Sequence, residues 1–254
     1  MAAPQLDILM YHSISDAPGP TSISPQVFAA QMQALAVSGV PVVSPDAMAQ
    51  PPADRAVVIT FDDGFADFDT TAWPILRDHG FRPIVYLPSD LMGQSENWAG
   101  CNTPARPLMN WDRIESLATE GVCFGAHSLS HPDLTTLPAD RLETEVAQSG
   151  QDISARLGQP IHHFAPPYGA SSPAVRRCIA QHYTTSVGTR LGVAKAGSDL
   201  HDLPRLEMFY FTDIARWRAH LAGRGRGYLA LRQTLRQLRS IVRTGKETPA
   251  PPRQ

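Results

Sequence analysis

Short apolar runs and helical stretches alternate about six or seven times along this 254-residue chain, and that rhythm narrows the possible folds more than any other feature. "LDILM", from Leu6, reads as a first strand, and Ser24-Pro25 as an N-cap with proline at the first helical position. The apolar residues after it keep helical spacing as far as Gly39. "VPVV" and "AVVIT" read as strands, the second apolar throughout, as a strand covered on both faces must be. Further strands are expected at "PIVYLP", "VCFGA", "HHFA", "YTTSVG" and "LPRLEMFYF", with helices between them. Such alternation calls for parallel βαβ units, closed into a barrel or opened into a doubly wound sheet. Right-handed crossovers then bring every strand's C-terminal end to one rim, where active sites gather.

Composition bounds the rest. A hydrophobic share of 43% with 18% charged residues suits one large globular domain. A net charge of -2 argues against a whole-chain nucleic-acid binder. The three cysteines, Cys101, Cys123 and Cys178, form neither a CxxC pair nor a disulfide framework. The N-terminal stretch lacks a basic segment followed by an apolar one, and no run is long enough for a membrane span, so a cytoplasmic location is expected. The irregular stretch from Ser89 to Met109 reads as a loop at the rim.

The chemistry lies where the strands stop. "VVITF" ends in Asp62-Asp63, "VCFGA" in "HSLSH" with His127 and His131, "HHFA" in "PPYG" with Tyr168, and the first strand in Tyr11-His12. Two adjacent carboxylates repel, and neither has a cation near it in sequence. One acid and two imidazoles form a ligand set for a divalent metal with an open position, zinc first by ligand type. One aspartate would then be neutralised by the cation and the other left as a general base. Alone, an Asp-Asp pair is a common turn or helix cap, and two histidines four apart are common on surfaces. Their joint placement at strand ends carries the signal.

These residues resemble the polysaccharide deacetylases (carbohydrate esterase family 4). "TFDDG" and "HSLSH" match that family's first two motifs, and "APPYG" partly matches its third, over a region of roughly residues 6 to 222. The resemblance implies an α/β fold of the distorted (β/α)7 TIM-like barrel kind. It implies Asp62 as catalytic base, Asp63, His127 and His131 as metal ligands, and the backbone N–H of Tyr168 as an oxyanion donor. The reaction would be metal-dependent hydrolysis of N-acetyl groups on a polysaccharide or glycan intermediate. The third motif usually carries an arginine that holds the base. Here that position is Ala165, and Arg205 of "LPRLEM" is the expected replacement. The family's late general-acid histidine has no clear counterpart. His12, His201 and His220 are candidates, with His12 favoured because "MYHSI" resembles one branch of the family. His79, His162, His163 and His182 read as helix-end or surface residues, and Trp98 and Trp111 as sugar-stacking rings or loop anchors. Two other readings stay open: a carbohydrate-binding pseudoenzyme on this scaffold, and an amidohydrolase of a non-sugar amide.

Residues 1–222 form the expected catalytic region, and 223–254 a basic helix with a proline-rich tail. From Arg224 to Lys246 there are seven basic residues and no acid. Leu231, Leu235, Leu238 and Val242 recur at helical spacing, and Arg232, Arg236, Arg239 and Arg243 follow one residue later. The expectation is either a helix on the barrel wall with its arginines in water, or peripheral contact with the inner face of a membrane or with a glycan-assembly partner.

Overall fold

Seven strands run parallel and close on themselves. They are β1 (Gln5–Tyr11), β2 (Ala56–Phe61), β3 (Ile84–Leu87), β4 (Cys123–Ala126), β5 (His163–Phe164), β6 (Thr185–Leu191) and, after the two-residue β7 (Ala194–Lys195), β8 (Leu203–Glu207). The order is β1-β2-β3-β4-β5-β6-β8, with β8 returning to β1 in parallel and β7 antiparallel to β1 outside the ring. The alternation is thus resolved in favour of a (β/α)7 barrel over an open sheet. The structure, a computed structural model, describes residues 5–50 and 54–244; the side chains of Arg226 and residues 237–244 lie outside that description.

The helices are α1 (Pro25–Ala36), α2 (Trp73–Asp78), α3 (Trp111–Thr119), α4 (Ala139–Leu157), α5 (Pro173–His182), α6 (Ile214–Leu221) and α7 (Arg226–Thr244). Ser24 caps α1 by accepting from the Val27 N–H, with Pro25 where no N–H is needed. "VPVV" is not a strand of its own: Val42 makes one isolated bridge to Val57. A run of only four residues with a proline inside it offers too few ladder bonds. No described helix is long and apolar enough to cross a membrane.

Strand periodicity decides which side chains face inward. Leu6 and Ile8, Ala56 and Val58, Ile84 and Tyr86, Ala165, Val187 and Leu203 form one buried cluster inside the ring. Leu9, Val57, Ile59, Val85 and Phe124 belong to a second cluster shared with the helices. Successive side chains point to opposite faces, so the inward parity extends to His12 after β1, Asp62 after β2, His127 after β4, and Arg205 and Glu207 on β8. Gly125 shares that parity. A Cβ there would meet the Tyr86 ring at 2.6 Å and the His163 carbonyl at 2.8 Å, so glycine is what admits Tyr86 to the barrel interior.

At the opposite end, Asp7 is fully buried and ties β1 to α6. Its carboxylate accepts from Arg55 and from His220 Nε2 (2.9 Å), while Arg55 also donates to the carbonyls of His220 and Leu221. Burial alone would raise the Asp7 pKa, but the hydrogen bond and charge of His220, with those of Arg55, hold it below its usual value. Its stabilisation is therefore present above the unfolded carboxylate pKa, about 3.9, and is lost as pH falls through the lower folded value. Asp7→Asn is expected to lose about 3–5 kcal/mol at neutral pH, because two partners are left facing no charge. Urea unfolding from pH 7 to pH 3 should show a steep fall for the natural chain and a shallower one for the variant; parallel curves would remove Asp7 from the account.

The C-terminal helix is turned differently from the simplest expectation. Leu231 and Leu235 are exposed, while Arg232 lies over the rings of Tyr210 and Tyr228, 4.8 and 5.4 Å from their centroids. Gln233 Nε2 donates to the Leu191 carbonyl (2.8 Å), fixing α7 to the end of β6. Arg232 and Arg236 are thus half-buried on the barrel side, Arg232 stacked on tyrosine and Arg236 lining a groove, since a guanidinium can pack and still reach polar atoms.

Candidate active site and metal centre

The chain leaves β2 through a turn that only unusual backbone can make. Asp63 has φ 72° and Gly64 φ 69°. The other non-glycine residues with positive φ among the described residues are Ser128, His131 and Tyr168. All four fall in the three strand-end motifs. Each such residue costs on the order of 1–3 kcal/mol and persists where the surroundings fix it, so strain is concentrated at one place on the rim.

Inward parity brings Arg205, 1% exposed, against Asp62. Its two terminal nitrogens donate to the two carboxylate oxygens at 2.7 and 2.6 Å. Nη1 also donates to Thr60 Oγ1 (3.0 Å), and Nε to the Gly188 carbonyl (2.8 Å). This is a bidentate pair whose donors point at fixed acceptors, so the carboxylate plane is fixed as well. Burial opposes the charge on Asp62, but Arg205 outweighs it and holds the carboxyl below its ordinary value. His12 Nε2 lies 3.8 Å from Asp62 Oδ2, close enough to feel the charge and beyond a hydrogen bond.

Asp63 turns the other way. Its Oδ1 is 3.3 Å from Nε2 of both His127 and His131, and all three residues are buried. Burial disfavours its charge, yet hydrogen bonding to the two histidines leaves its pKa well below normal. One carboxylate and two imidazole nitrogens, all within 4.8 Å of one another, match the donor set of a divalent cation. Orientation fits too: His127 Nδ1 donates to the Ala165 carbonyl at 2.6 Å, fixing the ring with Nε2 toward Asp63, where a cation would take the place of the Nε2 proton. Without a cation the two rings differ: burial lowers the His131 pKa, whereas at His127 burial is outweighed by the hydrogen bond to Asp63 and the charges of Asp62 and Asp63, and the pKa is raised. The adjacent acids therefore coexist because one is neutralised by a guanidinium and the other faces two imidazoles.

Two supporting residues were not singled out in the sequence. Glu145 of α4 accepts from the N–H groups of Leu129 and Ser130 (both 3.0 Å) and from Ser130 Oγ (2.7 Å), clamping the loop that carries His131. The signal was an acid inside the buried stripe Leu142, Val146, Ser149, Ile153. Asp67 accepts from Ser13 Oγ (2.6 Å) and the Ile14 N–H (2.8 Å), holding the segment after His12. Nothing local marked it, since its partners are more than fifty residues earlier in the chain.

The long rim loop behaves as read. Trp98 stacks on His131 with centroids 4.2 Å apart, and Arg106, over the Phe65 ring, anchors the loop through Glu96. A cavity of about 260 Å³ remains above the strands, lined by His12, Asp62, Asp63, Trp98, Tyr168 and Glu207 among others. The Tyr168 ring stands half-exposed at its mouth, edge-on to His131. Several candidates lie elsewhere. Trp111 opens α3 beneath Arg156, and His201 Nε2 meets the Tyr183 carbonyl. His220 belongs to the Asp7 cluster at the opposite strand ends. His163 is buried rather than exposed, because β5 sits between β4 and β6 and its ring is held against Thr185 Oγ1 of β6.

A sequence description of the polysaccharide deacetylases matches residues 49–187. YxkH of Bacillus subtilis is 23% identical over 211 residues, 80% of this chain and 71% of that protein. A chitin deacetylase of Colletotrichum lindemuthianum is 31% identical over 109 residues, 42% of this chain and 39% of that one. Among solved structures, the deacetylase PplD of Streptococcus pyogenes, in complex with acetate, superposes with a TM-score of 0.70 at 25% identity, covering 81% of this chain and 92% of that one. IcaB from Ammonifex degensii gives 0.70 at 20% identity over 85% and 97%, a likeness of fold.

Proposed function

Because the chain belongs to the polysaccharide deacetylase family, and so is a hydrolase that removes N-acetyl groups from a glycan, we propose that Asp63, His127 and His131 hold a divalent cation, zinc first, and that Asp62 is the base of the reaction. One observation carries this reading: two neighbouring aspartates are held in opposite directions, one by Arg205 and one toward two imidazoles. A cation bound there supplies Lewis-acid polarisation of the acetamide carbonyl and lowers the pKa of water. The chain's own groups do the rest. Asp62, fixed by Arg205, takes a proton from the attacking water. Its low pKa keeps it ionised across the neutral range. The Tyr168 N–H, in a turn held by positive φ, is assigned to the carbonyl oxygen as charge grows there. His12, beside Asp62, is assigned to protonate the departing amine. Water adds to the carbonyl carbon, the C–N bond breaks, and acetate and a free amino sugar result. Trp98 and Tyr168 border the cavity and offer faces for a sugar ring.

Acetate release from a panel of N-acetylated oligosaccharides, with metal-stripped and zinc-restored protein, tests the reading. Release should vanish on stripping and return with zinc. Asp63→Ala should carry little metal and give no release. Metal content equal to that of the natural chain would refute the ligand assignment.

A further inference from the structure

Beside the catalytic cavity lies a larger groove of about 560 Å³ that shares Gly169, Thr189 and Arg236 with it. The two spaces are therefore adjacent. Arg176 of α5, Arg190 at the end of β6 and Arg236 of α7 line the groove, with Ser171 and Gln233 between them and Asp202 as its one acid. In a chain whose net charge is -2, three guanidiniums around one space are a local arrangement rather than bulk composition.

The pairing of these arginines leaves capacity. Arg176 reaches Asp199 through one contact at 3.4 Å and Ser171 Oγ at 3.1 Å. Arg190 approaches Asp202 at 3.9 Å and donates to its carbonyl at 2.9 Å. Neither is a bidentate pair, so donors remain. Arg236 has no carboxylate within 4.0 Å among the described residues; burial raises the pKa of nearby Glu207, and the charge of Arg236 offsets this only in part. Its position is not accidental fraying, because Gln233, one turn earlier, is bonded to the Leu191 carbonyl.

The two spaces differ in their balance of charge. The catalytic cavity mixes both signs, with Asp62, Asp63 and Glu207 beside His12, Arg106 and Arg236, and Asp62 is already paired with Arg205. The groove is predominantly cationic, with three arginines to one acid. Arginine is suited to planar oxyanions because its fork matches carboxylate and phosphate geometry. We propose that the groove is a substrate subsite for an oxyanion, carboxylate or phosphate, carried on the glycan next to the sugar being deacetylated. This rests on the glycan reading above and narrows it to acidic glycans. Arg236 lies beyond residues 49–187, so the subsite draws on a helix outside the stretch that matches the family.

The test is calorimetric binding of length-matched N-acetylated oligosaccharides to the full chain: one neutral, one with a uronate neighbour, one with a phosphate neighbour. At least one acidic ligand should bind about 10-fold tighter than the neutral one, with the difference shrinking as salt rises. Arg236→Gln and Arg190→Gln should each bring the ratio of acidic to neutral affinity toward one, with unchanged unfolding midpoints showing that both variants fold. The two acidic ligands distinguish carboxylate from phosphate. Equal affinity for all three, no binding of any, or an acidic preference that survives both substitutions overturns the subsite. Acetate release is followed in parallel. Acidic preference without release would count against the deacetylation reading and leave the subsite standing. Release with equal affinities would do the reverse.

Discussion

Asp62→Asn is expected to lower turnover by about 10²–10⁴-fold while the folded protein keeps its metal, the range that a positioned general base contributes. The asparagine oxygen can still accept from Arg205, but the amide nitrogen faces a donor, and no basic oxygen remains for the water proton. Asp63, His127 and His131 are untouched, so metal per folded chain should match the natural protein. Stability also falls, because Arg205 loses its counter-charge in a buried place. Metal content and an unfolding curve taken beside the rate separate the two losses. Turnover close to that of the natural chain on a glycan it deacetylates would show that Asp62 is not the base.

Arg205→Met should be more damaging to the fold. It leaves the Asp62 carboxylate buried with its cation gone, and such a loss typically costs about 3–5 kcal/mol. It also frees Thr60 Oγ1 and the Gly188 carbonyl from their donor. Arg205→Lys is not a rescue, since a single ammonium cannot supply two parallel bonds to one carboxylate. The deciding measurement is a double-mutant cycle in urea. Arg205→Met combined with Asp62→Asn should lose clearly less stability than the two single changes summed, because the second change removes the unpaired charge left by the first. Simple additivity would mean that the ion pair seen in the structure contributes nothing to folding.

Much of this site could be read from the chain because its parts are local. A continuously apolar strand must be buried on both faces, so the residues just after "VVITF" and "VCFGA" have to emerge at a rim. "TFDDG" and "HSLSH" put ligand and base types there within a few residues of the strand end. Strand parity even predicts that His12, Asp62, His127 and Arg205 face the same way. The strand at "VPVV" and the exposure of His163 were misplaced, and Arg232 of α7 lies over two tyrosine rings rather than wholly in water; the expectations on Leu238, Arg239, Val242 and Arg243 lie outside the described side chains. In the first three, a short segment's local preference was overridden by neighbours distant in sequence.

The sequence by itself determined the repeating strand–helix order, the residues at each strand end and the chemistry they can perform, because each depends on spacing within one segment. Only the tertiary structure decided which strands become neighbours. Closure of β8 onto β1 brings Arg205 across 143 positions to Asp62, a partnership expected from the family resemblance but encoded by no local pattern. It likewise decided that Glu145 clamps the histidine loop and that α7 turns Arg236 toward the groove. Hydrogen-bond partners and charge neutralisation depend on distance in space, and a barrel makes neighbours of its first and last strands.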